Sequence, residues 1–100
     1  MVKLISEPRE VPTQGAVVID FFATWCGPCK KIAPTYEKLS ETFTNVSFFK
    51  VDVDESPELV NIYDISAMPT FIFLKDAQLV KKVEGADMKG LEEGFDLLTK

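Results

Sequence analysis

At 100 residues the chain is long enough for one domain, residues 1–100, with a hydrophobic core that needs no covalent staples. Its 46% hydrophobic and 27% charged content excludes a disordered chain, and a net charge of −5 leaves no basic excess for nucleic acid or an anionic membrane. The absence of histidine excludes Cys-His and Ser-His catalysis, a histidine base and most zinc sites.

In chain order, Val2–Ile5 reads as a short strand. Pro8 and Pro12 within Ser6–Gly15 allow only coil or a short helix. Ala16–Phe22 is the strongest strand signal, an apolar run with one carboxylate, Asp20, inside it. Beyond Gly27 and Pro28, the positions Ile32, Tyr36, Leu39 and Phe43 recur at helical spacing, and Pro34 among them predicts a kink. Val46–Val53 alternates as a second long strand, and Ser56 before Pro57 signals the N-cap and first turn of a short helix reaching about Tyr63. Thr70–Leu74 and Leu79–Val83 read as strands joined by KDAQ into an antiparallel hairpin. From Asp87 the positions Met88, Leu91, Phe95 and Leu98 are helical again, although Gly90 and Gly94 each cost about 1 kcal/mol there against Ala. Strands alternating with helices and closing on a hairpin imply an α/β fold, a mixed sheet with helices on both faces.

Two features point to chemistry. WCGPC places Cys26 and Cys29 three apart, after the Asp20 strand and at the start of a helix. Thiols so placed close into a small ring with little backbone movement, and a sulfur at a helix N-terminus is favoured as thiolate, the attacking species in disulfide exchange. A zinc site would need two further ligands, and the chain has no other Cys and no His. A structural disulfide here would close too short a loop to stabilise much. No apolar run approaches the ~20 residues of a membrane span. MVKLISEPRE carries no secretory h-region and DLLTK no retention or lipidation signature, so the expected setting is the cytoplasm. Cysteines are mostly reduced there, which again favours exchange chemistry. The second feature is Asp20 itself: alternation puts Val18, Asp20 and Phe22 on one face, and a buried carboxylate raises its pKa or finds a partner.

The stretches VVIDFFATWCGPCKKIAP, KVDVDE, ISAMPTFIF and VEGA, in this order and spacing, resemble the thioredoxin family from about Ala16 onward. SAMPTF is closest in kind to its eukaryotic cytosolic members. The resemblance implies a central five-stranded mixed sheet with helices on both faces and, given the short proline-rich N-terminal segment, a shortened first helix. It also implies roles. Cys26 would be the nucleophile and Cys29 the buried resolving thiol, with Gly27, Pro28 and Lys50 tuning them. Trp25, Met68, a cis Pro69 and Gly85 would form the surface that receives a client segment, and Asp20 would be the buried acid under the site, with Lys50 as its neighbour. Such a protein is an electron carrier more than a stand-alone enzyme. It would hold no organic cofactor or metal of its own; NADPH and FAD would belong to a thioredoxin reductase partner. Clients would be disulfide-containing proteins such as peroxiredoxins, met by a monomer.

Several positions depart from that pattern. Phe22 stands where many family members carry a second tryptophan, KDAQ replaces an Asn-Gly turn, and Glu84 places a charge at the rim before Gly85. Lys30, Lys31, Lys81 and Lys82 read as solvated charge. Lacking histidine, the chain leaves Asp20 as the base for Cys29, with a water between them, and its raised pKa should make Asp20→Ala stabilising at neutral pH. Two alternatives to a general reductase are carried: a redox-gated binding module using the same surface, and a reductase dedicated to one client.

Overall fold

A computed structural model describes residues 1–100. Five strands, β1 (Val2–Ile5), β2 (Ala16–Phe22), β3 (Val46–Asp52), β4 (Thr70–Lys75) and β5 (Gln78–Glu84), form one mixed sheet in the order β1-β3-β2-β4-β5. The β1–β3 and β2–β3 pairs are parallel, whereas β4 runs antiparallel to both β2 and β5. Three helices cover it: α1 (Gly27–Thr42), α2 (Pro57–Ile62) and α3 (Met88–Thr99).

Alternation along β2 divides the core. Val18 faces Ile32 and Tyr36 of α1 and Leu91, Phe95 and Leu98 of α3. Val17, Ile19 and Phe21 point the other way, into a cluster closed by Leu59 of α2. This is the expected α/β architecture with helices on both faces. Tyr36 ties α1 to the sheet twice over, because its ring packs on Phe48 and Phe71 and its hydroxyl reaches Phe49 O at 2.7 Å and Val18 O at 3.2 Å.

The shortened first helix is reduced to a single 3-10 turn, Pro8–Glu10, whose Glu10 carboxylate accepts from the Ser6 and Glu7 N–H groups. Those bonds, Ser6 first, hold Glu10 below its usual pKa. Helix α1 runs through Pro34 without a break. Strand β3 stops one residue earlier than its alternation suggests, since Val53 opens a 3-10 turn. Ser56 stands at the α2 N-cap position, but its side chain makes no cap bond; only its carbonyl accepts, from Val60 N–H.

The largest departure is the hairpin. Four connecting residues were expected, yet β4 continues to Lys75 and β5 begins at Gln78, leaving Asp76–Ala77 as a two-residue turn. Both have positive φ, 50° and 68°, the sign that matches the twist of a tight hairpin. The sequence is poor for this turn; a reciprocal pair of bonds compensates, Gly15 N–H to Asp76 Oδ1 at 2.8 Å and Asp76 N–H to Gly15 O at 3.0 Å. A register shift between Phe73 and Leu74 then leaves Val80 as the extra residue of a β-bulge. Nor are the β5 lysines merely solvated: Lys81 lies 3.6 Å from Glu93 of α3, and Lys82 donates to backbone carbonyls beyond α2.

Gly94 is a packing requirement as well as a helix penalty. A Cβ there would fall 2.5 Å from Cζ of Phe73, whose ring meets Phe95 edge-on. Two glycine exchanges should therefore act in opposite directions. Gly94→Ala should lower stability, because overpacking costs about 1–3 kcal/mol and exceeds the ~1 kcal/mol gained in helix propensity. Ala77→Gly should raise it by about 1 kcal/mol by relieving a left-handed alanine. Urea unfolding midpoints measure both, and movement of either in the other direction contradicts the packing described.

Candidate active site

Strand β2 delivers the chain through Ala23, Thr24 and Trp25 to Cys26, the residue immediately before the first turn of α1. Cys26 is extended (φ −91°, ψ 112°), and its Sγ accepts from the Cys29 N–H at 3.2 Å. Pro28 fits between them because a first-turn residue has no intrahelical acceptor for an N–H. The Cα atoms of Cys26 and Cys29 are 5.3 Å apart and the two sulfurs are joined in a disulfide. Cys26 is 6% exposed and Cys29 3%, both packed with Ala23 and touched by Phe22 and Met68. On reduction, the Cys26 sulfur faces the unpaired N–H groups and positive dipole end of α1, which stabilise a thiolate.

Asp20 lies behind them. It is 4% exposed, and its Oδ1 has no hydrogen-bond partner within the protein. Desolvation raises its pKa from 3.8 to about 7, against the opposing pull of the Lys50 charge. Lys50 is its register partner on β3 and is itself exposed, so it moderates the shift without removing it. A cavity of about 270 Å³ joins the two groups, with Asp20, Phe22, Cys29, Lys30, Ala33 and Lys50 on its walls. The walls are largely apolar, with Asp20, Thr24, Lys30 and Lys50 supplying polar side chains, and a space of that size accommodates water.

The remaining candidates gather around the disulfide. Trp25 is 66% exposed, so it is no core residue, and its Nε1 donates to Asp54 Oδ2 at 3.0 Å. Asp54 is in turn held by Asp52, whose Oδ1 accepts from the Asp54 N–H at 3.0 Å. Met68 is half-buried and Pro69 buried, with the peptide between them cis. Gly85 has φ 89°, a left-handed value that favours glycine, and its N–H donates to Pro69 O at 2.7 Å. Open space lies where a Gly85 side chain would be. The structure thus brings Cys26, Cys29, Gly27 and Pro28 together at one helix end, with Asp20 and Lys50 beneath. Asp54 was not singled out from sequence; the carboxylate-rich DVDES that begins at the last residue of β3 was the available signal.

The Asp20 shift fixes the sign of a pH effect. Its raised folded pKa means that the folded state holds a proton the unfolded state releases. The associated stability is complete below about pH 4 and is lost as pH rises through about 7. Asp20→Asn and Asp20→Ala should therefore gain on the wild type between those limits and exceed its stability at pH 8. Denaturant midpoints collected from pH 4 to 8 test this, and a wild type that stays ahead at pH 8 makes Asp20 a structural residue.

Residues 8–96 match the thioredoxin family profile. Over 79 residues the chain is 50% identical to mitochondrial thioredoxin-3 of Saccharomyces cerevisiae, a match spanning 79% of this chain and 62% of the relative. It is 49% identical over 82 residues to an H-type thioredoxin of Picea mariana, spanning 82% of this chain and 66% of that one. The matches thus span less than two thirds of these relatives' own lengths. Fasciola hepatica thioredoxin superimposes with a TM-score of 0.91 at 37% identity, covering 97% of this chain and 99% of the other. A chain solved in work on thiol resolution in a yeast mitochondrial 1-Cys peroxiredoxin via glutathione and thioredoxin systems gives a TM-score of 0.90 at 40% identity, covering 97% and 95%. With the Cys26–Cys29 disulfide at the head of α1 and this sheet order, the chain belongs to the thioredoxin family.

Proposed function

We propose that the chain is a protein-disulfide reductase working by dithiol–disulfide exchange. The observation that carries this reading is the Cys26–Cys29 pair at the α1 N-terminus, above a cavity it shares with Asp20. In the first step the Cys26 thiolate attacks one sulfur of a client disulfide, forming a mixed disulfide and releasing one client thiolate. Cys29, deprotonated, then attacks the Cys26 sulfur. That closes the Cys26–Cys29 bond and releases the second client thiolate, so two electrons pass to the client.

Asp20 takes the Cys29 proton through water in the cavity. A base whose pKa is about 7 suits this task, being neither permanently charged nor permanently protonated at neutral pH. Trp25, Met68, Pro69 and Gly85 receive the client segment, and Glu84 at the rim biases which clients fit. The redox element is the cysteine pair alone. A thioredoxin reductase carrying FAD and drawing on NADPH would restore the dithiol. Disulfide-bearing clients of the peroxiredoxin kind fit the reading, which draws support from the peroxiredoxin setting of one structural relative. The cytoplasm is the proposed compartment, where the monomer would be kept reduced.

NADPH oxidation with purified thioredoxin reductase and a disulfide protein tests the whole cycle. Sustained turnover is expected for the wild type and none for Cys26→Ser; tight client binding without turnover would instead make the chain a redox-gated binding module. Cys29→Ser should leave clients disulfide-linked to Cys26, recoverable on a non-reducing gel. Asp20→Asn should slow breakdown of the mixed disulfide toward the ~100-fold that general-base catalysis supplies at its lower end. An unchanged breakdown rate at pH 7 removes Asp20 from the mechanism.

A further inference from the structure

The segment Tyr63–Pro69 joins α2 to β4 and carries Met68 against the cysteine pair. Its start is an unusual helix terminus. Asp64 is left-handed (φ 53°), its N–H donates to Asn61 O at 3.3 Å, and the Ile65 N–H donates to Val60 O at 3.0 Å. These are the paired bonds of a Schellman terminus, with aspartate where glycine is usual. The Tyr63 and Asp64 carbonyls, which that terminus turns outward, meet Lys82 of β5: its Nζ donates to them at 3.3 and 2.8 Å. Further along, Thr70 Oγ1 donates to Ala67 O at 2.6 Å, and the Gly85 N–H holds Pro69 O at 2.7 Å. Strand β5 and its end therefore grip both ends of the segment, Lys82 the first and Gly85 the last.

Helix α2 has only six residues, with Leu59 its one buried side chain, so its place depends on tertiary ties. Lys82 alternates away from the buried Val83 and lies on the α2 face of the sheet, half-buried. Its ammonium meets the partial negative charge of the helix end, and hydrogen bonds from a charged donor are the stronger kind.

We propose that Lys82 is a positioning residue for client recognition: by fixing the two carbonyls after α2, it sets where Met68 and Pro69 stand beside the Cys26–Cys29 pair. The proposal rests on the reductase reading above. A client segment that docks along Met68 and Pro69 needs them already in place; any ordering left to the docking step is subtracted from affinity. Loss of Lys82 should thus appear in KM and leave the sulfur chemistry, and hence kcat, intact.

Lys82→Met and Lys82→Arg are compared with wild type in steady-state reduction of a disulfide-bonded peptide, with dithiothreitol as the reductant. Lys82→Met should raise KM about tenfold, the lower end of the scale for one hydrogen bond from a charged group, with kcat held. Lys82→Arg, which keeps a cationic donor, should recover most of the loss. Amide hydrogen exchange should quicken across residues 64–68 in Lys82→Met and not in Lys82→Arg. An unchanged KM in Lys82→Met overturns the proposal, as does an equal fall of kcat and kcat/KM or a failure of arginine to rescue. If the wild type itself reduces no peptide, the reductase reading fails, whereas the exchange data still report whether Lys82 orders the segment.

Discussion

Enclosure of β2 on every side is the constraint from which the rest follows. It is hydrogen-bonded to β3 along one edge and β4 along the other, while α1 and α3 cover one face and α2 the second. A strand so confined cannot slip by a residue without turning Asp20 into the α2 face and Ile19 or Phe21 into the cavity. Its exit point is therefore fixed. Four residues later Cys26 meets the head of α1, a helix secured to β2 and β3 by the Tyr36 hydroxyl and ring. Rigidity at the cysteine pair is inherited from the middle of the sheet.

The same enclosure explains why an acid inside it is costly and useful together. Asp20 is surrounded by apolar residues of its own strand, and the nearest opposing charge, Lys50, spends itself largely in solvent. Full pairing with a lysine would make the carboxylate a permanent anion; full burial without any nearby cation would keep it protonated. The observed middle position leaves it able to exchange a proton near neutrality. Tyr36 sits close enough to feel that carboxylate, yet its own burial, first of all, keeps it a neutral phenol.

Much of this was legible in the chain because it rests on local pattern. The alternation of β2 and β3, the helical spacing of Ile32, Tyr36 and Leu39, and the Cys-x-x-Cys after a strand all fall within a short window. What escaped rests on partners far away. The Asp76–Ala77 turn looks wrong by itself and is made right by Gly15, 61 residues distant. Gly94 reads as a weak helix former until the Phe73 ring is placed against it. Lys82 reads as solvent-facing until α2 is found to end beneath it. Each error assigned a residue by its type when its distant neighbour decided the matter.

Strand β5 is an outer edge of the sheet and displays exposed Leu79 and Val80. An apolar edge with free N–H and C=O groups invites another chain to add a strand, which is the first step towards aggregation. The bulge at Val80 breaks the regular ladder just there, and two consecutive lysines follow it. Any incoming strand would meet a local twist and then a pair of like charges. On the reductase reading, the protein thus keeps this edge closed to the disulfide-bearing segments of its clients, confining capture to the end of the sheet where the sulfurs are.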